Sequence, residues 1–201
     1  MISARKALQQ LRDGNRRFVA ERQRDGRTGA TRREEVTERQ EPFAIILGCS
    51  DSRVPAEIVF VQGLGDLFVI RVAGNIVAPS QIGSVEFAAE RFGTRLVVVM
   101  GHTLCGAIEA TLEAMLGTAP ASKNVRSIVD RVRPSLDSLI RTDLREDLVR
   151  LRREAVRANV RASANHLRHG SDIIERLADT DGLLVVGAEL DVKSGAVEFL
   201  E

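Results

Sequence analysis

Phe43-Ala44-Ile45-Ile46-Leu47-Gly48-Cys49-Ser50-Asp51-Ser52-Arg53 begins as an unbroken apolar run and ends on a polar, reactive set. Hydrophobes without polar alternation, closed by glycine, predict a short strand buried on both faces. Leu96-Val97-Val98-Val99-Met100-Gly101-His102-Thr103-Leu104-Cys105-Gly106 has the same layout, an apolar run, a glycine, then polar and sulfur-bearing residues. Two more runs fit the pattern: Leu67-Phe68-Val69-Ile70 after the turn-like Gly63-Leu64-Gly65-Asp66, and Leu183-Leu184-Val185-Val186 ending at Gly187. Helical stretches lie between them, at 84–92 closed by Gly93 and at 106–116 stopped by Gly117. A longer one, 125–168, is interrupted near Pro134 and again near Thr142-Asp143. Buried strands alternating with helices predict an α/β fold: one domain with a central, mostly parallel sheet flanked by helices.

Ahead of the first strand, residues 3–23 place Ala7, Leu8, Leu11, Phe18 and Val19 at helical spacing, with Ser3 available as N-cap. Residues 24–41 are polar and contain glycine, and read as an exposed connection with one short helix. The expected division is therefore a helical arm and connection over 1–40 and an α/β core over 41–201, within a single domain. In the long helical region Leu144, Leu148, Leu151, Ala155, Ala158 and Ala162 form one apolar stripe, and Val156, Val160 and Leu167 an adjacent one. A face that wide, with an arm whose own stripe needs cover, predicts a homodimer or a dimer of dimers. Core packing alone would also account for the wide face.

Composition excludes several function classes. The 201 residues are 44% hydrophobic and 28% charged, with 29 basic and 28 acidic side chains, so no net field favours nucleic acid or an anionic membrane. No window reaches the roughly 18 apolar residues of a membrane-spanning helix. The N-terminal stretch has charges every few residues and no apolar core of a secretory signal, which predicts a cytoplasmic protein with reduced thiols.

The two cysteines, Cys49 and Cys105, are all the chain has. Taken alone, each reads as a small buried hydrophobe, His102 as a core or capping histidine, and Asp51 with Arg53 as a loop ion pair. Together they form a better-defined pattern. In an open α/β sheet, functional groups collect at the carboxyl ends of strands, where strand order reverses. A Cys after one strand and a His-x-x-Cys after another could meet there as three N/S ligands. Three protein ligands with a free fourth position is the catalytic zinc arrangement, and thiolate with imidazole selects zinc over magnesium or calcium.

Cys49-x-Asp51-x-Arg53 followed by His102-x-x-Cys105-Gly106 resembles the paired signature of β-class carbonic anhydrases. The resemblance extends to Leu8–Val19, to Phe68-Val69-Ile70-Arg71-Val72-Ala73-Gly74-Asn75-Ile76-Val77-Ala78, to residues 83–107 and to 182–199. It implies a Zn2+ cofactor, one per chain, on Cys49, His102 and Cys105, and reversible hydration of CO2 to bicarbonate. It further implies that Asp51 accepts a hydrogen bond from the zinc-bound hydroxide and that Arg53 holds Asp51. Gln40 sits where one subclass has a substrate-binding glutamine that reaches across a dimer interface. Phe68, Ala73 and Phe87 match positions lining an apolar substrate pocket, Ala73 standing for a usual valine and Phe87 for a frequent tyrosine. The Gly106 N–H, at a helix start, is placed to hold bicarbonate. The allosteric subclass carries a tryptophan where this chain has Ile46, and a tyrosine; this chain has neither residue type.

Two rivals share this pattern. Carbon disulfide hydrolysis would use the same metal site, and a catalytically silent zinc-binding interaction protein would need neither Asp51, Arg53 nor Gln40. A nucleotide-binding reading is weaker, because no strand is followed by a full glycine-rich fingerprint.

Overall fold

The computed structural model describes residues 2–22, 28–118 and 122–200. The end of the helical pattern at 3–23 and the start of the polar connection, residues 23–27, lie outside the described residues. Five strands form one sheet in the order β2-β1-β3-β4-β5: β1 Ala44–Gly48, β2 Leu67–Arg71, β3 Leu96–His102, β4 Leu184–Leu190 and β5 Val197–Leu200. The first four are mutually parallel, and β5 pairs antiparallel to β4. β1 and β3 are buried along their whole lengths, as their unbroken apolar runs require.

Side chains alternate across the sheet and so build two cores. Ile46, Val98 and Met100 face one of them, with Leu11 of α1 (Ala4–Val19), Phe60 after α3 (Ala56–Val59), Ile108 and Leu112 of α5 (Gly106–Leu116), and Val132 and Leu136 of α6 (Arg126–Leu136). Ile45, Leu47, Val97 and Val99 face the other, with Val85 and Ala88 of α4 (Pro79–Arg91) and Ile174 and Leu177 of α8 (Asp172–Thr180). The long helix α7 (Leu148–His169) serves both, Leu151, Ala155 and Val156 in the first and Val160, Ala164 and Leu167 in the second. The short helix α2 (Ala30–Glu35) falls in the polar connection and buries nothing.

Several expectations change. α4 starts at Pro79, not at 84, because proline at the first helical turn lacks only an N–H that has no partner there anyway. Pro134 does not stop α6, whose buried face runs on to Leu136; two 3₁₀ turns, Leu139–Arg141 and Asp143–Glu146, then lead to α7. β4 runs through Gly187 to Leu190, since that glycine is a contact hole: a Cβ there would lie 2.8 Å from Val160 Cγ1. Of the expected stripe on α7, Leu148 and Ala162 are exposed and Leu151 and Ala155 are buried.

The arm also behaves differently. Ser3 caps α1 as expected, accepting from the Lys6 N–H at 3.3 Å. Ala4, Ala7 and Leu11 are buried in the chain's own core, whereas Leu8 and Phe18 are half-buried and Val19 is exposed, so the chain itself covers only part of the stripe on α1. Asn15 clamps the arm down: its amide donates to the carbonyls of Val59 (3.2 Å) and Gly195 (2.8 Å), and its oxygen accepts from the Val197 N–H (2.9 Å).

Candidate active site

β1 and β3 lie side by side although β2 separates them in sequence, and the strand order reverses between them. Their carboxyl ends therefore frame a crevice of the kind in which open α/β sheets bind ligands. Cys49 follows β1 directly, and His102 is the last residue of β3. Leu104, in the left-handed region at φ 59°, turns the chain so that Cys105 caps the start of α5 beside them.

The three side chains converge. One ligand atom from each of Cys49, His102 and Cys105 lies within 4.8 Å of the other two, and all three residues are buried. The sulfurs are 4.0 Å apart. Tetrahedral zinc with bonds of about 2.3 Å would hold two sulfurs roughly 3.8 Å apart, so the pair needs little adjustment. His102 Nδ1 lies 2.9 Å from the Thr103 carbonyl, an acceptor that requires the proton on Nδ1. Nε2 is left with a bare lone pair, fully buried and, among the described residues, without a hydrogen-bond partner. A buried acceptor with nothing to accept from is costly unless something electrophilic sits there, and a metal ion meets that need.

The two thiols share their protons unequally. Cys49 is pushed down, chiefly by its contact with the Cys105 sulfur, with help from the amides of Asp51 and Gly74 and against the effect of burial. Cys105 is pushed up by that same contact and by burial. A dication held between the two sulfurs would favour the thiolate form of both.

Asp51 stands beside this cluster, its Oδ2 3.9 Å from His102 Nε2. Arg53 clamps it with Nε on Oδ1 (2.9 Å) and Nη2 on Oδ2 (2.7 Å), and the Arg53 backbone N–H adds a bond to Oδ1 (2.9 Å). These contacts, the guanidinium first, hold the carboxyl well below the usual carboxylate range. Arg53 also donates to the Leu104 carbonyl at 3.2 Å, tying the two motif loops together. A groove of about 340 Å3 opens alongside, between Leu104, Cys105, Gly106, Ile108 and the α7 side chains Arg152 and Val156.

The profile of the carbonic anhydrase family matches residues 44–197, which takes in every one of these groups. The chain belongs to the β class of carbonic anhydrases. It is 47% identical over 130 residues to a carbonic anhydrase of Mycolicibacterium smegmatis, a match covering 65% of this chain and 63% of that one. Carbonic anhydrase 2 of Mycobacterium tuberculosis is 44% identical over 143 residues, covering 68% of this chain and 69% of its own. The structure superimposes on the β-carbonic anhydrase CafA of Aspergillus fumigatus with a TM-score of 0.71 at 25% identity, over 84% of this chain and 79% of that chain.

Within this carbonic anhydrase fold the structure brings together Cys49, Asp51, Arg53, His102, Cys105 and, as the first residue of α5, Gly106. Ala73 lies in a 3₁₀ turn (Ala73–Asn75) whose Gly74 N–H reaches the Cys49 sulfur at 3.4 Å. Phe68 and Phe87 are elsewhere. They form an aromatic cluster with Phe92, ring centroids 5.6–6.3 Å apart, and Phe68 is level with Ile45 near the start of β1. Gln40 is exposed and precedes β1, at the opposite end of that strand from Cys49. Sequence reasoning missed Arg71, which donates to the Cys49 carbonyl (3.0 Å) and the Asp51 carbonyl (2.6 Å) and so fixes the loop carrying both. Its signal was the pairing of Gly48 with Arg71, which needs the sheet register. Among the described residues no helix is long and apolar enough to cross a membrane.

Proposed function

We propose that this chain catalyses the reversible hydration of CO2 to bicarbonate and a proton, with Cys49, His102 and Cys105 holding one zinc ion. The observation that carries the reading is the orphaned, buried Nε2 of His102, meeting two cysteine sulfurs within reach of a clamped carboxylate. When bound, zinc supplies a Lewis acid able to make water nucleophilic near neutral pH. The protein's part is orientation. An ionised Asp51 can only accept hydrogen bonds, so a water or hydroxide beside it must point its hydrogen at Oδ2 and turn a lone pair elsewhere. A carboxyl kept well below its usual range is a poor base, which makes Asp51 an orienting group rather than the proton's destination. Arg53 and Arg71 fix Asp51 through its side chain and its backbone. The Gly106 N–H, at the start of α5, would donate to a bicarbonate oxygen.

Gln40, Phe68 and Phe87 act in trans in this proposal. A strand advances roughly 3.3 Å per residue, so β1 alone puts roughly 16 Å between Gln40 and its own Cys49. A homodimer or dimer of dimers would let these residues complete a neighbour's pocket, with Ala73 contributed by the chain that holds the metal. A cluster that depends on two free thiols suits a reducing compartment, the cytoplasm.

Zinc content and CO2-hydration rate, measured on one preparation of wild type and of Cys49→Ser, test the reading. Wild type should carry about one zinc per chain and be active; Cys49→Ser should lose both. Zinc-replete protein without CO2 hydration would refute the activity, and parallel assay with CS2 would then show whether that substrate is used.

A further inference from the structure

Asn159 is a buried amide on the apolar face of α7, between Val156 and Val160, only 3% exposed. A carboxamide in such surroundings is costly unless it is used. Here its Nδ2 donates to the Gly74 carbonyl at 2.8 Å. Gly74 is the residue whose own N–H reaches the Cys49 sulfur at 3.4 Å. Its backbone is left-handed (φ 70°, ψ 17°), and the turn is closed by Asn75 N–H on the Val72 carbonyl (3.0 Å) and Val72 N–H on the Gly48 carbonyl (3.1 Å). A glycine in that region has many other conformations open to it. With the Asn159 donor gone, the buried Gly74 carbonyl would be left unsatisfied, and rotation about Gly74 in search of another donor would take its N–H off the sulfur.

We propose that Asn159 is a positioning residue for the metal centre, holding Gly74 so that its N–H meets the Cys49 sulfur. The inference rests on the metal-binding half of the proposed function and not on the reaction. Its effect is geometric, since the N–H and the carbonyl of Gly74 belong to different peptide planes. An N–H directed at a thiolate stabilises the charge on sulfur and fixes the direction of its lone pairs, which is how outer groups tune a metal ligand.

The test compares wild type, Asn159→Leu, which removes the donor, Asn159→Asp, which keeps the shape but leaves only an acceptor when ionised, and Ser163→Ala, a buried change one turn along α7. Zinc affinity by chelator competition and the sulfur-to-cobalt charge-transfer band of the Co(II)-loaded protein are the readouts. Both Asn159 variants should bind zinc about tenfold or more weakly, with a shifted cobalt band, while Ser163→Ala matches wild type. A folded Asn159 variant with wild-type affinity and spectrum would overturn the proposal. So would failure of both variants to fold, which would make Asn159 a residue of the fold alone. Wild type that binds zinc but does not hydrate CO2 would refute the activity and leave this inference standing.

Discussion

Gly101 immediately precedes His102, and a methyl group placed there has nowhere to go. A Cβ at Gly101 would lie 2.5 Å from Val160 Cγ2 and 3.2 Å from Val156 Cγ1. Both neighbours are β-branched side chains on a helix, with one strongly preferred rotamer, so neither can swing aside. Overpacking of this kind costs about 1–3 kcal/mol, and Gly101→Ala belongs in the upper part of that range. Val160→Ala removes two buried methyl groups at about 0.8 kcal/mol each and leaves a partly filled hole, about 2 kcal/mol in all. Independent effects would sum to roughly 4–5 kcal/mol in the double mutant. If the contact is the cause, the new methyl at 101 moves into the space vacated at 160, and the pair costs only about 2 kcal/mol. Urea unfolding of the metal-free proteins measures all four corners of this cycle without a contribution from bound zinc. Chelator competition should show zinc affinity falling in Gly101→Ala, because His102 is displaced with its neighbour, and recovering in the double mutant. A double mutant additive to within about 0.5 kcal/mol would refute the reasoning, as would a neutral Gly101→Ala.

Arg53 lowers the folded-state pKa of Asp51, so the stability this carboxylate contributes is fully present above about pH 4 and is lost as pH falls through the depressed value. The difference in unfolding free energy between wild type and Asp51→Asn should be flat between about pH 5 and pH 8 and shrink in more acidic solution; a difference that changes within the neutral range would show that another group is titrating. Inactive Asp51→Asn chains and impaired Gln40→Ala chains, refolded together, should exceed the weighted mean of the parental activities, because some mixed dimers contain one intact composite site. Mixtures that exchange subunits and stay at the mean would place Gln40 outside the neighbour's site.

Much of the fold was legible because the central strands announce themselves. β1 and β3 are apolar on both faces, and that pattern belongs to a parallel sheet covered on both sides. Glycine was the less reliable mark. Gly117 does end α5, in the left-handed conformation that favours this residue, yet Gly187 lies inside β4 with Val160 pressed against it. In sequence the two look alike, since a conformational requirement and a steric one select the same residue. The arm was only partly legible for a related reason. Periodicity identifies an apolar stripe but not the surface that covers it, and the fixing contacts come from Asn15, which reaches Val59, Gly195 and Val197 far along the chain.

The site was legible in its ligands and not in what directs them, and charge explains part of that division. Two thiolates and Asp51 carry three negative charges; a zinc ion, Arg53 and Arg71 would bring four positive ones, so most of the charge at the centre is offset locally. A net protein charge of +1 is therefore no guide to it, and ligand types at strand ends were the informative signal. Direction comes instead from backbone groups that no side-chain motif encodes. The Gly74 amide points at one sulfur, the Thr103 carbonyl sets the histidine tautomer, and the carbonyls of Cys49, Asp51 and Leu104 are held by two arginines. The Thr103 contact is local to its own strand end, but the others depend on strands being in register, Gly48 with both Arg71 and Met100 and His102 with Leu190. A shift of one residue between β1 and β3 would keep every ligand in the chain while turning its side chain to the opposite face. The ligand motifs therefore identify the chemistry, and the packing of α7 against Gly101 and Gly187 helps fix the register in which that chemistry can occur.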